Sequence, residues 1–195
     1  MARRLIVTIL SVIILLNFSG AYEGFASKTA DAADDPIPEN TPPSLDLNGS
    51  GPGEDYNTAF VPGGAAVSIV DGGLTITDDD STDLTSATIA ITNIKDIGAE
   101  ILAVDVSGTG VGVQFNAGGL LLLNGQDKVA NYEKILKTAT YQNTNPTPDK
   151  TTRQISFVVD DGEDESNKPT TSVQIVEPGI SITKNPDNQT IAIGG

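Results

Sequence analysis

Short apolar runs separated by turn residues recur along most of this chain. Glycine, proline, asparagine and aspartate fill the gaps, while threonine, valine and isoleucine are frequent within the runs. The runs that we interpret as strands cover residues 57–61, 66–70, 73–77, 87–93, 101–106, 112–116, 119–123, 138–142, 155–159 and 171–176. Many short strands at this spacing are typical of an antiparallel sandwich rather than of an α/β protein. We therefore predict an all-β fold in which only residues 129–137 form a short helix.

The run at residues 155–159 indicates how such a strand would lie. Ile155, Phe157 and Val159 share one face of a strand, because side chains alternate across it with a period of two. The acid-rich segment 160–165 begins directly after Val159. We expect a buried strand that ends in a patch of carboxylates.

Two further patterns predict local structure. The four leucines at residues 120–123 depart from strict alternation, so we expect either a central strand covered on both faces or a contact between repeats. The dipeptides Gly63-Gly64, Asp71-Gly72 and Asn124-Gly125 are expected at turns, because these residues tolerate the positive φ that a hairpin turn needs.

The two ends of the chain differ from its middle. Arg3 and Arg4 precede an apolar run that is shorter than the about 20 residues of a membrane span, which predicts a cleaved signal peptide over residues 1–26. An uncleaved anchor is the alternative. Residues 27–53 lack apolar periodicity and are predicted to be a disordered leader, followed by the sandwich at 54–177. Residues 178–195 carry two strand-like pieces, too few to bury a core, and are interpreted as the incomplete start of a further β module.

Composition narrows the possible functions. The formal net charge is -15, and a chain this acidic repels nucleic acid, so divalent cations are better candidates as partners. The chain contains no cysteine and no histidine. It therefore has no disulfides and no thiolate metal site, and it lacks histidine, the commonest general base in enzymes. We predict that it is not an enzyme.

The segment 131–167 resembles the closing half of cadherin-like repeats, of the dystroglycan and CSPG types, in prokaryotic surface proteins. The matching residues are Asn131, Tyr132, Leu136, Thr140, Tyr141, Asn143, Arg153, Ile155, Phe157, Val159, Asp161, Gly162, Ser166 and Asn167. The resemblance implies an extracellular or cell-surface β-sandwich, cadherin-like or immunoglobulin-like, with calcium at its ends. The segment 178–195 is similar to the start of immunoglobulin-like repeats from the same kind of protein.

Two acidic clusters, at residues 78–83 and 160–165, are candidates for a calcium site. Calcium takes six to eight hard oxygen ligands and relieves the repulsion between neighbouring carboxylates. The resemblance implies a ligand set of Asp78 and Asp80 from a D-x-D turn, Asp160 and Asp161 from the strand exit, and Glu54 before the first strand. The family's D-x-N-D-N linker is absent, which puts calcium between domains in doubt. Solvated acids in turns are the alternative.

These observations predict an exported adhesion or spacer module of a surface protein that binds calcium at one end of the sandwich. Its expected partners are calcium ions, other surface proteins or glycans, and neighbouring repeats of a longer chain. A metal-free spacer repeat is one alternative. A carbohydrate-binding module is another, although it would need stacked aromatic side chains and the chain contains no tryptophan.

Overall fold

The computed structural model describes residues 39–177, which form an antiparallel β-sandwich with one short helix. The all-β prediction is confirmed. The elements are β1 (Ser44–Asp46), β2 (Tyr56–Phe60), β3 (Val67–Ser68), β4 (Thr75–Thr77), β5 (Asp83–Ile91), β6 (Glu100–Ala103), β7 (Gly112–Ala117), β8 (Leu120–Lys128), α1 (Val129–Leu136), β9 (Thr140–Asn143), β10 (Arg153–Asp160) and β11 (Thr170–Ile175). The predicted signal peptide, most of the leader before residue 39 and the predicted further module at 178–195 lie outside the described residues.

The strands form three sheets. The main sheet has six strands in the order β2-β11-β10-β5-β8-β7, a second sheet has the order β3-β9-β6, and β1 pairs with β4. Neighbouring strands are antiparallel except β2 and β11, which run parallel. No helix within residues 39–177 is long and apolar enough to cross a membrane.

The core lies between the main sheet and the three-stranded sheet. Arg153, Ile155, Phe157 and Val159 of β10 are buried and alternate with half-buried neighbours, as the period of two predicts. Phe60 of β2 and Tyr141 of β9 join the two sheets, with their rings edge to face and 5.5 Å apart. Full burial of a large apolar side chain contributes about 1.5–3 kcal/mol, so Ile155, Phe157 and Val159 each stabilise the fold by about this amount.

The helix α1 follows β8 without a loop and lays Tyr132, Ile135 and Leu136 into the core. The Tyr132 hydroxyl donates a hydrogen bond to the Gly125 carbonyl oxygen at 2.7 Å. Burial, with smaller effects of the Asp127 and Asp160 charges, raises the pKa of Tyr132 to about 12. The short amphipathic helix expected at this position is confirmed.

The structure corrects the prediction that the leader is disordered as far as residue 53. Residues 44–46 form β1, and Leu45 and Leu47 are fully buried. The Asn167 side chain brackets Leu45: its Oδ1 accepts from the Leu45 amide at 2.7 Å, and its Nδ2 donates to the Leu45 carbonyl at 2.8 Å. Pro43, Leu45 and Leu47 are buried in alternation, a signal too short to stand out among prolines and glycines.

The prediction of a hairpin turn at Asn124-Gly125 is wrong, and the leucine run at residues 120–123 is not covered on both faces, which leaves a contact between repeats as the prediction for it. Asn124-Gly125 is not a hairpin turn, because β8 continues through it, and Gly118-Gly119 joins β7 to β8 with φ angles of 59° and 77°. The leucine run is buried on one face only: Leu121 and Leu123 lie in the core, whereas Leu120 and Leu122 are half-buried on the outer face. Strand alternation therefore holds here despite the uniformly apolar sequence.

Candidate functional site at the acidic end

Two acidic loops far apart in sequence meet at one end of the sandwich. The Asn40 side-chain amide donates to Asp161 Oδ2 and to Asp164 Oδ2, both at 3.0 Å. The neighbouring Thr41 backbone amide donates to Asp80 Oδ2, also at 3.0 Å. We call these five residues, Asn40, Thr41, Asp80, Asp161 and Asp164, the acidic pole. Adjacent residues of the chain thus connect the loop before β5 to the loop after β10.

The loop after β10 is held by its own carboxylates. Asp161 Oδ1 accepts from the amides of Glu163 and Asp164 at 2.7 and 2.9 Å. Asp160 Oδ1 accepts from the Gly162 amide at 2.8 Å and from the Thr85 hydroxyl at 3.0 Å. Aspartate side chains that bond the backbone two residues ahead stabilise turns. Asp160 and Asp161 therefore stabilise the turn after β10, whether or not they bind a ligand.

The charge of Asp161 is stabilised where it lies. Burial by itself raises the pKa of this carboxyl, but hydrogen bonds from the Asp164 amide, the Asn40 side chain and the Glu163 amide outweigh burial. The net result is a pKa below the ordinary aspartate value. Asp161 therefore presents a negative charge at the acidic pole at neutral pH.

Asp78 has one satisfied and one unsatisfied oxygen. Its Oδ1 accepts from the Ser81 amide at 2.7 Å and from the Asp80 amide at 3.2 Å, which closes the turn before β5. Its Oδ2 is buried and has no hydrogen-bond partner among residues 39–177. A buried carboxylate oxygen without a partner is costly, so this atom favours a donor or a cation beside it.

Glu54 lies apart from the contacts that join the acidic loops. It is exposed, and its Oε2 accepts from the Asn167 side chain at 2.6 Å. Asn167 also holds Leu45 of β1. Glu54 is thus connected through Asn167 to β1. Asp80 and Asp161 are instead bridged by the adjacent residues Thr41 and Asn40.

The carboxylate oxygens of the acidic pole accept hydrogen bonds from amides and do not surround a common point as metal ligands would. Within residues 39–177, no group of three or more aspartate, glutamate, histidine or cysteine side chains is placed so that it could hold a metal ion. A cation at the acidic pole would have to displace the Asn40 amide. Sequence reasoning missed Asn40 and Thr41, because both stand in a stretch interpreted as disordered. Asp164 belongs to the predicted acidic segment 160–165 but was not among the predicted ligands.

A second charged cluster, centred on the fully buried side chains of Arg153 and Glu100, lies at the other end of β10. Arg153 donates through Nε to Glu100 Oε1 at 2.5 Å and through Nη2 to Asp96 Oδ2 at 2.7 Å. The Asn143 and Asn145 side chains donate to the same Asp96 carboxylate at 2.9 and 2.6 Å. Burial by itself lowers the pKa of Arg153, but the hydrogen bond and the charge of Glu100 outweigh burial. The pKa is raised overall, so the guanidinium stays charged. This cluster ties the loop before β6 and the loop after β9 to β10 of the main sheet.

The residues that carry the sequence resemblance therefore have structural roles in this chain. Ser166 Oγ accepts from the Val159 amide at 3.1 Å, which closes the acidic loop onto β10. Asn131 donates to Asp127 at 2.7 Å at the start of α1. With Arg153, Asn143 and Asn167, they satisfy polar groups that the sandwich leaves open at its ends. These five residues of the pattern thus make contacts that stabilise the fold.

These features place the protein in the class of acidic, cysteine-free β-sandwich proteins with a carboxylate-rich end. A scan against protein-family models finds no match for the chain, and a search of curated proteins finds none either. The resemblance to cadherin-like repeats therefore stays a prediction from the sequence.

Proposed function

We propose that this protein is an exported surface module that acts as a spacer or adhesion unit in a line of modules. The observation that carries this proposal is where the chain enters and leaves the sandwich. Asn40 contacts Asp161, which directly follows β10, whereas Glu177 forms an ion pair with Lys150, which shortly precedes β10. Entry and exit thus lie at opposite ends of one strand.

The length of β10 sets the scale of this separation. Eight residues at about 3.3 Å each span about 26 Å. The two ends of the described part of the chain, near residues 40 and 177, are therefore separated by about the length of β10. A module with its two attachment points at opposite ends extends a chain, which is what a spacer requires.

Export and spacing can be tested together on cells. The full chain is expressed with its own N-terminus, an epitope is inserted before residue 39, a surface anchor is fused after residue 195, and the height of the epitope above the membrane is compared with that in a fusion that lacks residues 39–177. We expect protease added to intact cells to remove the epitope, and the height to increase by at least about 26 Å. An epitope protected in intact cells would contradict export, and an unchanged height would contradict the spacer role.

Calcium binding at the acidic pole is a second candidate function. It is supported by Asp78 Oδ2, which has no hydrogen-bond partner in the described part of the chain, and by the meeting of the Asp80 and Asp161 loops on two adjacent residues. Asp78, Asp80, Asp160 and Asp161 would supply hard oxygen ligands from these two loops. A bound cation would take over the role of the Asn40 amide and offset the repulsion between the loops.

The calcium proposal predicts a metal-dependent melting temperature. A ligand that binds only the folded state stabilises it by about 1.4 kcal/mol at ten times its Kd, so millimolar calcium should raise the Tm above that in chelator. Asp80→Asn combined with Asp161→Asn should abolish the difference, and Asn40→Ala should enlarge it because it removes the competing amide. Identical midpoints in calcium and chelator for the unmodified chain would leave the metal-free spacer.

The structure offers no observation that favours carbohydrate binding. A groove of about 570 Å³ near the chain exit is lined by Pro62, Pro146, Thr147, Pro148, Lys150, Ile175, Val176 and Glu177. No aromatic side chain is among these lining residues, and sugar sites rely on aromatic surfaces for stacking. We therefore do not extend the proposal to glycans.

A further inference from the structure

We propose that β7 pairs with β7 of a second copy of this chain, so that two six-stranded sheets become one continuous sheet. Among the described residues 39–177, β7 is the last strand of the main sheet and pairs with β8 on one side only. All six of its residues are exposed, and Val113 and Phe115 are each 46% accessible. An edge strand presents unpaired backbone amides and carbonyls that a further strand can bind.

The edge lacks the charged side chains and prolines that usually prevent such pairing. Charged side chains and proline normally protect exposed edge strands. β7 reads GVQFNA, and no charged residue or proline occurs anywhere between Asp105 and Asp127. A single irregularity in the pairing between Val113 and Phe115 is the one protective feature within β7. The segment 106–126 is thus uncharged in a chain of formal net charge -15.

The apolar character continues across the outer face of the sheet. Phe115 lies beside Leu122, which lies beside Thr88, and Ala117 lies beside Leu120, which lies beside Ala90. Leu121 and Leu123 point into the core, so Leu120 and Leu122 occupy the opposite, solvent-facing side. The outward leucines that broke the sequence pattern thus flank an exposed phenylalanine at an open edge.

A second copy is the partner that fits this surface best. Two copies of an acidic chain repel each other wherever carboxylates face carboxylates, and the uncharged β7 edge is where they approach at the lowest electrostatic cost. Like strands pair antiparallel about a two-fold axis, which uses the same patch on both copies. In the register centred on Phe115, the two phenylalanines lie opposite each other as an aromatic cross-strand pair.

This pairing goes beyond the spacer role, because it adds a lateral contact between modules. It does not depend on whether the acidic pole binds a cation. Its failure would leave entry and exit at opposite ends of the sandwich unchanged, so the two proposals can fail separately.

The cysteine-free chain allows a direct cross-linking test with three single variants of the full chain. Side chains directly opposite each other in paired strands have Cβ atoms about 4.5–5.5 Å apart, close to the distance of a disulfide. Phe115→Cys should therefore form a covalent dimer on mild oxidation. Asn57→Cys on the opposite edge strand β2 is the matched control and should stay monomeric.

Thr88→Cys distinguishes edge pairing from stacking of the outer faces. In the paired sheet the two copies of residue 88 are separated by five strand spacings, about 24 Å, which is too far for a disulfide. Cross-linking of Thr88→Cys would show face-to-face stacking and would overturn edge pairing. A mixed disulfide between Phe115→Cys and Asn57→Cys copies would show that β7 pairs with β2 and would overturn it as well.

Sedimentation of the unmodified chain supplies the second measurement. We expect a reversible dimer that strengthens between about 0.15 M and about 1 M salt, because salt screens the repulsion between the acidic copies. Phe115→Asp, which places two like charges opposite each other, should weaken the dimer at least about tenfold. A chain that stays monomeric at both salt concentrations would overturn the proposal, even if Phe115→Cys cross-links.

Discussion

Arg153 shows at the residue scale how one charged side chain organises an end of the sandwich. Its side chain is fully buried, yet it begins a strand whose other inward residues are Ile155, Phe157 and Val159. The cost of burying the guanidinium is offset by Glu100 and Asp96, which also accept hydrogen bonds from loop residues. Sequence alternation predicts that position 153 points inward, but it does not identify the two acids that neutralise it.

Removing Arg153 should therefore be strongly destabilising. Arg153→Met keeps an apolar side chain of similar length but leaves the buried Glu100 without its partner, which typically costs about 3–5 kcal/mol. Urea denaturation followed by circular dichroism measures the loss. Lys150→Met is the matched control, because the Lys150–Glu177 pair is solvent-exposed and its removal should change little. Equal effects of the two substitutions would contradict a special role for the buried cluster.

At the scale of the element, the hydroxyl group of Tyr132 anchors α1 to β8. Three apolar side chains bury the inner face of a helix only eight residues long, and the Tyr132 hydroxyl fixes it to the Gly125 carbonyl in β8. Gly125 has a φ of 139°, and a Cβ added there would lie 2.6 Å from the Gly110 carbonyl oxygen. The glycine of Asn124-Gly125 thus permits a close approach of two backbone segments rather than a hairpin turn.

Tyr132→Phe should remove this anchor without disturbing the packing of the ring. The lost hydrogen bond to the half-buried Gly125 carbonyl should cost about 1 kcal/mol, seen as a lower midpoint in urea denaturation. Tyr56→Phe on the edge strand β2 serves as the control and should change stability less. Because the folded-state pKa of Tyr132 is raised to about 12 from an ordinary value of 10.0, its stabilising effect persists up to about pH 10 and is lost as the pH rises toward 12. A parent and variant with the same alkaline unfolding midpoint would contradict this.

At the scale of the whole molecule, acid should destabilise the sandwich. Burial raises the pKa of Asp96, but hydrogen bonds from Asn143, Asn145 and the Asp149 amide and the charge of Arg153 outweigh it, so its pKa is lowered. The pKa of Asp127 is lowered too, first by the Gly110 amide and then by Asn131. A carboxylate with a depressed pKa contributes stability above its unfolded value, about 3.9, and loses it as the pH falls through the folded value.

The Tm should therefore stay nearly constant from pH 7 to about pH 5 and fall below about pH 4. Protonation also relieves the repulsion between carboxylates, which acts in the opposite direction, so a variant is needed to isolate the Asp96 contribution. Asp96→Asn should be less stable than the parent at pH 7, and its Tm should change less between pH 5 and pH 3. Scanning calorimetry across this range measures both differences, and parallel curves for parent and variant would contradict the assignment.

The candidate site divides between what the pattern of residues predicts and what it does not. The sequence locates the acidic loops, since both follow or precede strands that alternation identifies. It does not show that Asp80 and Asp161 are joined through Thr41 and Asn40, because that contact spans 121 positions between Asn40 and Asp161. It also gives no sign that Glu54 lies with Asn167 instead. Such contacts depend on the order of strands in the sheets, which no local pattern encodes.

Sequence alone determined that this chain forms short antiparallel strands, one brief helix and an acidic exit from β10, because these depend on period-two and turn signals within a few residues. Tertiary structure alone decided that residues 44–46 pair with β4, that Gly118-Gly119 makes the hairpin, and that β7 is left as an open edge. The physical reason is that burial and strand pairing are shared between distant segments. A residue's neighbours in the sheet, rather than its neighbours in the chain, determine whether its side chain is buried, paired with an opposite charge or exposed.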